Sequence, residues 1–181
     1  MTVPRLETKR LLLREWRQDD FETYARWMSD PDVVRWLTGE PMARGDAWRS
    51  LAVMAGHWIL RGYGFWAVEE KTSGTLVGRV GLWNPETWPG LEVGWTLGRE
   101  HWGKGYATEA ALASMDYAFM TQPISKLLSV IHVSNTPSQK VAARLGETRG
   151  EKSTEIVFGG KTFPVDLWGI TRDAWAARKP Q

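Results

Sequence analysis

The sequence predicts a mixed α/β fold around an internal sheet of about six or seven strands, with residues 1–181 forming one domain. Three observations carry this. Strand-like runs alternate with helical stripes along the whole chain. A length of 181 residues with 43% hydrophobic composition is the size of one domain with a sizeable core. No internal repeat, low-complexity tract or long linker divides the chain.

The elements follow in order. Arg10 to Trp16 is a β-rich run and a first strand. Asp19, with Glu22 three residues on, has the spacing of a helix cap, and Phe21, Tyr24, Ala25 and Met28 then fall on one helical face. Asp30-Pro31 stops that helix and opens a shorter one ending at Gly39. Trp48, Leu51, Ala52, Ala55 and Ile59 form a stripe that predicts a helix over about residues 43–61, ended by Gly62. Phe65 to Glu69 and Leu76 to Leu82 read as paired strands around the Lys71 to Gly74 turn, and a proline-rich link from Asn84 to Gly90 follows.

Leu91, Val93, Trp95 and Leu97 alternate as a strand that runs through a glycine-bearing turn into an alanine-rich helix, from about Lys104 to Met120. Pro123 breaks the chain, and Leu127 to Val133 supplies another strand. Pro137 opens a short helix that stops at Gly146. Ile156 to Phe158 and Thr162 to Ile170 flank Gly159-Gly160, a two-residue hairpin turn.

The Leu91 to Ala110 stretch, LEVGWTLGREHWGKGYATEA, carries most of the functional information. Gly103 and Gly105 let the backbone approach a ligand without a Cβ, and the N–H groups opening the next helix lack intrahelical partners. Such a junction cradles a phosphate-bearing molecule. Gly98 and Gly103-Lys104 match the first part of a P-loop, but Gly105 stands where that loop needs a hydroxyl for magnesium. A dinucleotide fingerprint fails too, because Thr108 occupies the place of its third glycine.

The run Trp102-Gly103-Lys104-Gly105-Tyr106-Ala107 resembles the pyrophosphate loop of the GNAT acyltransferases, [Gln/Arg]-x-x-Gly-x-[Gly/Ala], with tryptophan in first place. Glu92-Val93-Gly94-Trp95, the opening Glu7 to Arg14, Asp19-Asp20-Phe21, and Asn135-x-x-Ser138 leading to Arg144-Leu145-Gly146 sharpen it toward the RimJ/RimL-like branch, which acetylates ribosomal-protein N-termini. The resemblance covers nearly all of the chain. It implies a mostly antiparallel sheet in which the Leu91 and Leu127 strands start side by side and splay apart, with acetyl-CoA in the gap. Main-chain groups near Trp95, Thr96 and Leu97 are then expected to hold the amide-rich arm as an added strand. The pyrophosphate is expected on N–H groups from Trp102 to Ala107, with Lys104 and Arg144 as candidate phosphate contacts and Arg99 as a further one.

The reaction so implied is attack of an amine on a thioester, which needs a proton acceptor on the amine and benefits from a donor on the leaving thiolate. Glu92 stands where many GNAT enzymes place a base, its side chain turned away from the apolar face of Leu91 and Val93. The tyrosine that commonly serves as acid, seven residues after the asparagine, is Ala142 here. The RimJ/RimL-like pattern offers Ser138 for the thiolate, with Asn135 holding an amide of the arm; Asn-Thr-Pro-Ser is also an ordinary helix cap. His101 reads as a packing residue and His57 and His132 as core.

Composition sets the outer limits. With no cysteine there is no disulfide, thiolate metal site or cysteine nucleophile. Scattered histidines give no metal-ligand spacing. A net charge of +2, spread without a basic block, argues against a nucleic-acid partner. No apolar run reaches membrane-span length and MTVPRLETKR lacks a signal-peptide stretch, so a cytoplasmic monomer or homodimer is expected. The twelve tryptophans read mostly as core, with a few free to line an acceptor cleft formed by the Asp19 to Gly62 helices and the Asn84 to Gly90 link. The resemblance, not the composition, implies a peptide N-terminal amine as the acceptor. The alternatives are a small amine such as a polyamine or antibiotic, or acyl-CoA binding without catalysis, as a sensor.

Overall fold

In the computed structural model, which describes residues 2–158 and 160–178, eight strands form one sheet in the order β1-β2-β3-β4-β5-β6-β8-β7. They are β1 (Leu6–Glu7), β2 (Leu11–Arg14), β3 (Phe65–Glu70), β4 (Thr75–Trp83), β5 (Glu92–Leu97), β6 (Lys126–His132), β7 (Thr148–Phe158) and β8 (Lys161–Thr171). All neighbours pair antiparallel except β5 and β6, which run parallel. The eighth strand beyond the expected seven is β1, two residues long and too short to show a period.

The helices are α1 (Phe21–Met28), α2 (Pro31–Val34), α3 (Arg44–Arg61), α4 (Tyr106–Thr121), α5 (Thr136–Arg144) and α6 (Arg172–Ala176). On one face, Ala110, Ala111, Met115 and Ala118 of α4 pack on Val80, Leu82, Val93 and Leu97; small alanines let helix and sheet approach closely. On the other, Tyr24, Met28, Val34, Ala47 and Met54 from α1, α2 and α3 pack with Phe65, Ala67 and Leu76. Strand alternation therefore sends Val93 and Leu97 to the α4 side and Glu92 and Thr96 to the α1–α3 side.

Four expectations change. Asp19 does not cap α1: the Asp20 carboxylate is held instead by Arg14 (2.8 Å) and the Arg17 N–H (2.8 Å), a buried ion pair that anchors the entry to the helix. The buried face of α3 is Ala47, Met54, His57 and Trp58, so Trp48 and Ile59, 51% and 71% exposed, point outward. Gly105 in the left-handed region delays the start of α4 to Tyr106. The last hairpin is far longer than Ile156 to Phe158, because β7 is an edge strand whose Glu151, Lys152 and Ser153 suit solvent and hide its periodicity. Of its expected turn, Gly160 has φ +75°, as a left-handed glycine, while Gly159 lies outside the described residues.

Candidate active site

The parallel pairing of β5 with β6 is confined to Glu92 opposite Leu128, supported by the Leu128 N–H donating to Leu91 O at 3.0 Å. Beyond that the strands diverge, and the Ser129 hydroxyl, 2.8 Å from Val93 O, is a side-chain tie across the opening. A groove of about 740 Å³ occupies the gap. Its walls include Trp95, Thr96 and Leu97 of β5, Asn135 at the cap of α5, Ser138 and Arg144 within α5, and Trp102, Gly103 and Ala107 at the far end. The structure thus brings most of the predicted residues to one place.

Local sequence explains the groove's shape. Gly103 and Gly105 have φ of +74° and +81°, a region that costs other residues about 1–3 kcal/mol. They bend the chain so that the sixteen-residue α4 begins at the groove's end with its first N–H groups unpaired within the helix. The Trp102 indole donates to Leu97 O at 2.9 Å, fixing the loop against the strand and occupying one of the main-chain groups expected to serve the amide arm. Asn135 caps α5 by accepting from the Ser138 N–H at 3.2 Å, and Ser138 Oγ accepts from the Trp95 indole at 3.3 Å.

Besides the buried Glu92, three predicted residues lie off the groove walls. Lys104 turns its carbonyl to Arg10 Nη1 (2.9 Å), Gly105 packs toward Arg10, and the Tyr106 ring is buried beneath the Arg10 guanidinium with its hydroxyl on Glu70. For these, only the main chain faces the helix start. Arg99 is corrected as well: Asp30 and Asp32 hold its guanidinium at 3.1 and 3.3 Å. Lys140 and Arg35, which sequence reasoning missed, line the groove instead. Ala142 is fully buried and off the groove walls.

Glu92 stands at the mouth of the divergence. It is 7% exposed, accepts from the Trp88 indole at 2.7 Å and from the Val130 main chain, and lies over Gly94, where a Cβ would come within 2.9 Å of Oε1. Burial pushes its carboxyl up to about 7, against the opposing pull of the Trp88 bond and the Arg79 charge. The expectation that it turns away from Leu91 and Val93 holds, but into a covered site instead of solvent.

On the α1–α3 side a second cavity of about 480 Å³ is walled by Phe65, Trp83, Trp88, Met54 and Arg79, by Trp36 to Ala43, and by Ile156, Phe163 and Val165 of the last hairpin. The two spaces share Trp36, Leu37, Val130 and His132 as walls. His132 is therefore not a core residue; its ring lies 4.6 Å from Trp36 and its Nδ1 accepts from the Ser134 N–H. His57 is core as expected, stacked on Trp83 and bonded to Tyr63 O. The hairpin's contribution was invisible in the sequence because Ile156, Phe163 and Val165 lie 68 or more positions from Trp83 and Trp88.

Opposite Glu92, on the α4–α5 side, sits a second buried carboxyl that sequence reasoning missed. Glu147 Oε1 meets the Ser129 hydroxyl at 3.1 Å, while Oε2 is buried without a hydrogen-bond partner. Burial pushes this carboxyl up to about 8, and the Glu92 charge pushes in the same direction. Among the described residues no cluster of His, Cys, Asp or Glu is arranged to hold a metal ion, and no helix is long and apolar enough to cross a membrane.

The groove fits coenzyme A: a strand edge without a strand partner for the amide arm, left-handed glycines and open N–H groups for the diphosphate, and Arg35, Lys140 and Arg144 on its walls. Comparison with known proteins agrees. A model described as an acetyltransferase (GNAT) domain matches residues 10–148. An uncharacterized N-acetyltransferase of Bacillus licheniformis, p20, is 30% identical over 138 residues, 75% of this chain and 78% of that protein. An acetyltransferase from Agrobacterium tumefaciens superposes with a TM-score of 0.81 at 28% identity, covering 94% of this chain and 95% of that one. The RimL ribosomal L7/L12 alpha-N-protein acetyltransferase, solved in complex with coenzyme A, shares the fold with a TM-score of 0.76 at 16% identity, over 94% and 99% of the chains. This chain belongs to the GNAT acetyltransferase family and is an acyltransferase.

Proposed function

We propose that residues 1–181 form one acetyl-CoA-dependent N-acetyltransferase domain of RimJ/RimL-like type, and that it acetylates a peptide or protein N-terminal α-amine by direct transfer in a ternary complex. The observation that carries this reading is the position of Glu92, bonded to Trp88 of the apolar cavity's wall and to the main chain of Val130, which walls both cavity and groove, with its carboxyl raised to about 7. An α-amine has a pKa of about 8 and a lysine about 10.4, so a base near 7 is matched to the α-amine.

Acetyl-CoA supplies the thioester carbonyl to be attacked. Glu92, ionised, accepts the proton that the amine must lose. Ser138 lies on the other side of the divergence. Its oxygen already accepts from the Trp95 indole, so its own hydrogen is free to turn into the groove toward the leaving sulfur. Trp95 therefore orients the donor, and the cap from Asn135 fixes the turn that carries it, while the Asn135 amide N–H₂ remains available to the arm.

The test is to mix protein, acetyl-CoA and a panel of amines, including peptides with free N-termini, polyamines and aminoglycosides, and to follow thiol release and acceptor mass. A peptide gaining one acetyl group at its α-amine, with equimolar thiol, is the expected result. Tight coenzyme binding with no thiol release from any amine overturns the reading in favour of a sensor.

A further inference from the structure

We propose that Arg79 recognises the acceptor, and that the acceptor is an α-amino carbonyl compound bearing an apolar side chain. This rests on the transferase reading and narrows its substrate class. Arg79 lies on β4 opposite Thr96 and is 8% exposed, yet no carboxylate lies within ion-pair distance of it among the described residues. The contrast is Arg14, equally buried, whose guanidinium meets Asp20 and Glu69 at 2.8 Å. Arg79 Nε donates to Thr96 Oγ1 at 3.3 Å and Nη1 approaches the Met54 sulfur, a weak acceptor, at 3.1 Å. Nη2 has no protein acceptor among the described residues, and the residue lines the apolar cavity.

A largely buried cation whose one open donor faces a cavity gains most from a ligand oxygen placed there, in a setting where a charge-assisted hydrogen bond is strong. The other charges on these walls are already paired, Glu40 with Lys161 and Asp46 with Arg49. What the cavity lacks is an acceptor oxygen on its guanidinium side. Glu92 supplies the complementary end. Its Oε1 and the Phe65 ring edge both crowd the missing Cβ of Gly94, and the Arg79 guanidinium lies 4.6 Å from the centre of the same ring. Base and cation converge on Phe65, so one small molecule can present an amine to Glu92 and a neighbouring carbonyl or carboxylate oxygen to Arg79. Trp36, Trp83 and Trp88 leave apolar space for the side chain attached between them. A polyamine offers no such oxygen.

The experiment compares phenylalaninamide with phenethylamine, which lacks the carbonyl, in wild type, Arg79→Met and Arg79→Lys. Because each protein meets the same two amines, their difference in basicity cancels when the kcat/KM ratios of the proteins are compared. The ratio is expected to fall by about 10-fold to 100-fold in Arg79→Met, the worth of a hydrogen bond to a charged group, and by less in Arg79→Lys, which keeps the charge without the fork. An equal ratio in wild type and variants overturns the proposal while transfer itself stands. Should neither amine release thiol, calorimetric titration of both into the coenzyme A-loaded proteins gives the same comparison. Carbonyl-dependent binding lost in Arg79→Met then supports recognition although the transferase reading fails, and indifference to the carbonyl overturns both. Coenzyme A binding by each variant verifies folding; if Arg79→Met does not fold, wild type and Arg79→Lys decide. Free phenylalanine and a phenylalanyl dipeptide separate the two sources of this chemistry, an amino acid or a peptide N-terminus.

Discussion

The groove proposed for the coenzyme and the cavity proposed for the acceptor share walls but are built on opposite principles. The groove's distinctive parts are main chain: a strand edge that loses its neighbour, two left-handed glycines and the start of α4, all within Leu91 to Ala110, with side chains from β6, α5 and the α2 region closing the walls. The cavity is side chain: tryptophans, Phe65, Met54 and Arg79 gathered from the segment after α2, from α3, from β3, β4 and β6, from the link before β5 and from the last hairpin. A main-chain site recognises what every acyl donor of the type shares, while a side-chain site sets what is particular to one acceptor. Glu92 lies behind both, bonded to Trp88 of the cavity wall and to the main chain of Val130, a wall of each, which makes its substitution the sharpest probe of the boundary.

Glu92→Gln is expected to lower kcat/KM by about 100-fold to 1,000-fold, the range of a general base, while the coenzyme A Kd stays within about twofold. In wild type kcat/KM should rise with pH through about 7, because only the ionised carboxylate accepts a proton. That limb should be missing from the variant. A large rise in coenzyme Kd would show instead that Glu92 shapes the groove. Gly105→Val tests the other side: a β-branched residue at φ +81° strains the bend, and acetyl-CoA Kd is expected to rise about 10-fold or more with acceptor KM little changed. Calorimetry and initial rates read the two separately.

The same contrast explains what the sequence could reveal. Contiguous features were legible: the strand-turn-helix at Leu91 to Ala110, the cap at Asn135 and the helix stop at Gly62 each depend on neighbours within a few residues. The cavity was not, since the rotation of α3 that buries Met54 and exposes Trp48 is decided by packing against α1 and the sheet, not by the stripe itself. Arg99 looked like a phosphate ligand because Asp30 and Asp32, its partners, are about 70 residues away. Glu147 carried no signal at all; a glutamate after a helix-ending glycine reads as solvated surface until Ser129 and its burial are known.

Trp88→Phe isolates the link between cavity wall and base. The indole N–H that holds Glu92 down is lost, so the acid limb of kcat/KM should move to higher pH, with the plateau changed by less than about tenfold. Coenzyme Kd should not move. An unshifted limb would mean that Val130 and Arg79, without Trp88, supply the pull that opposes burial at Glu92.

The smallest effect is expected at Glu147, where the readout is stability. Its folded carboxyl titrates near 8 against an ordinary value of 4.5, so between these the native state holds a proton that the unfolded chain has released. Stability then falls as pH rises across that window and levels off above it, by a few kcal/mol at most for this group. Glu92 adds the same sign up to about 7. Glu147→Gln keeps an uncharged side chain of the same length beside Ser129 and cannot ionise, so its Tm should depend less on pH. Its Tm should exceed that of wild type by a few degrees at pH 9 and show no gain at pH 5. A gain of equal size at both pH values would mean that the amide simply packs better, and that the unpartnered Oε2 is tolerated without holding a proton.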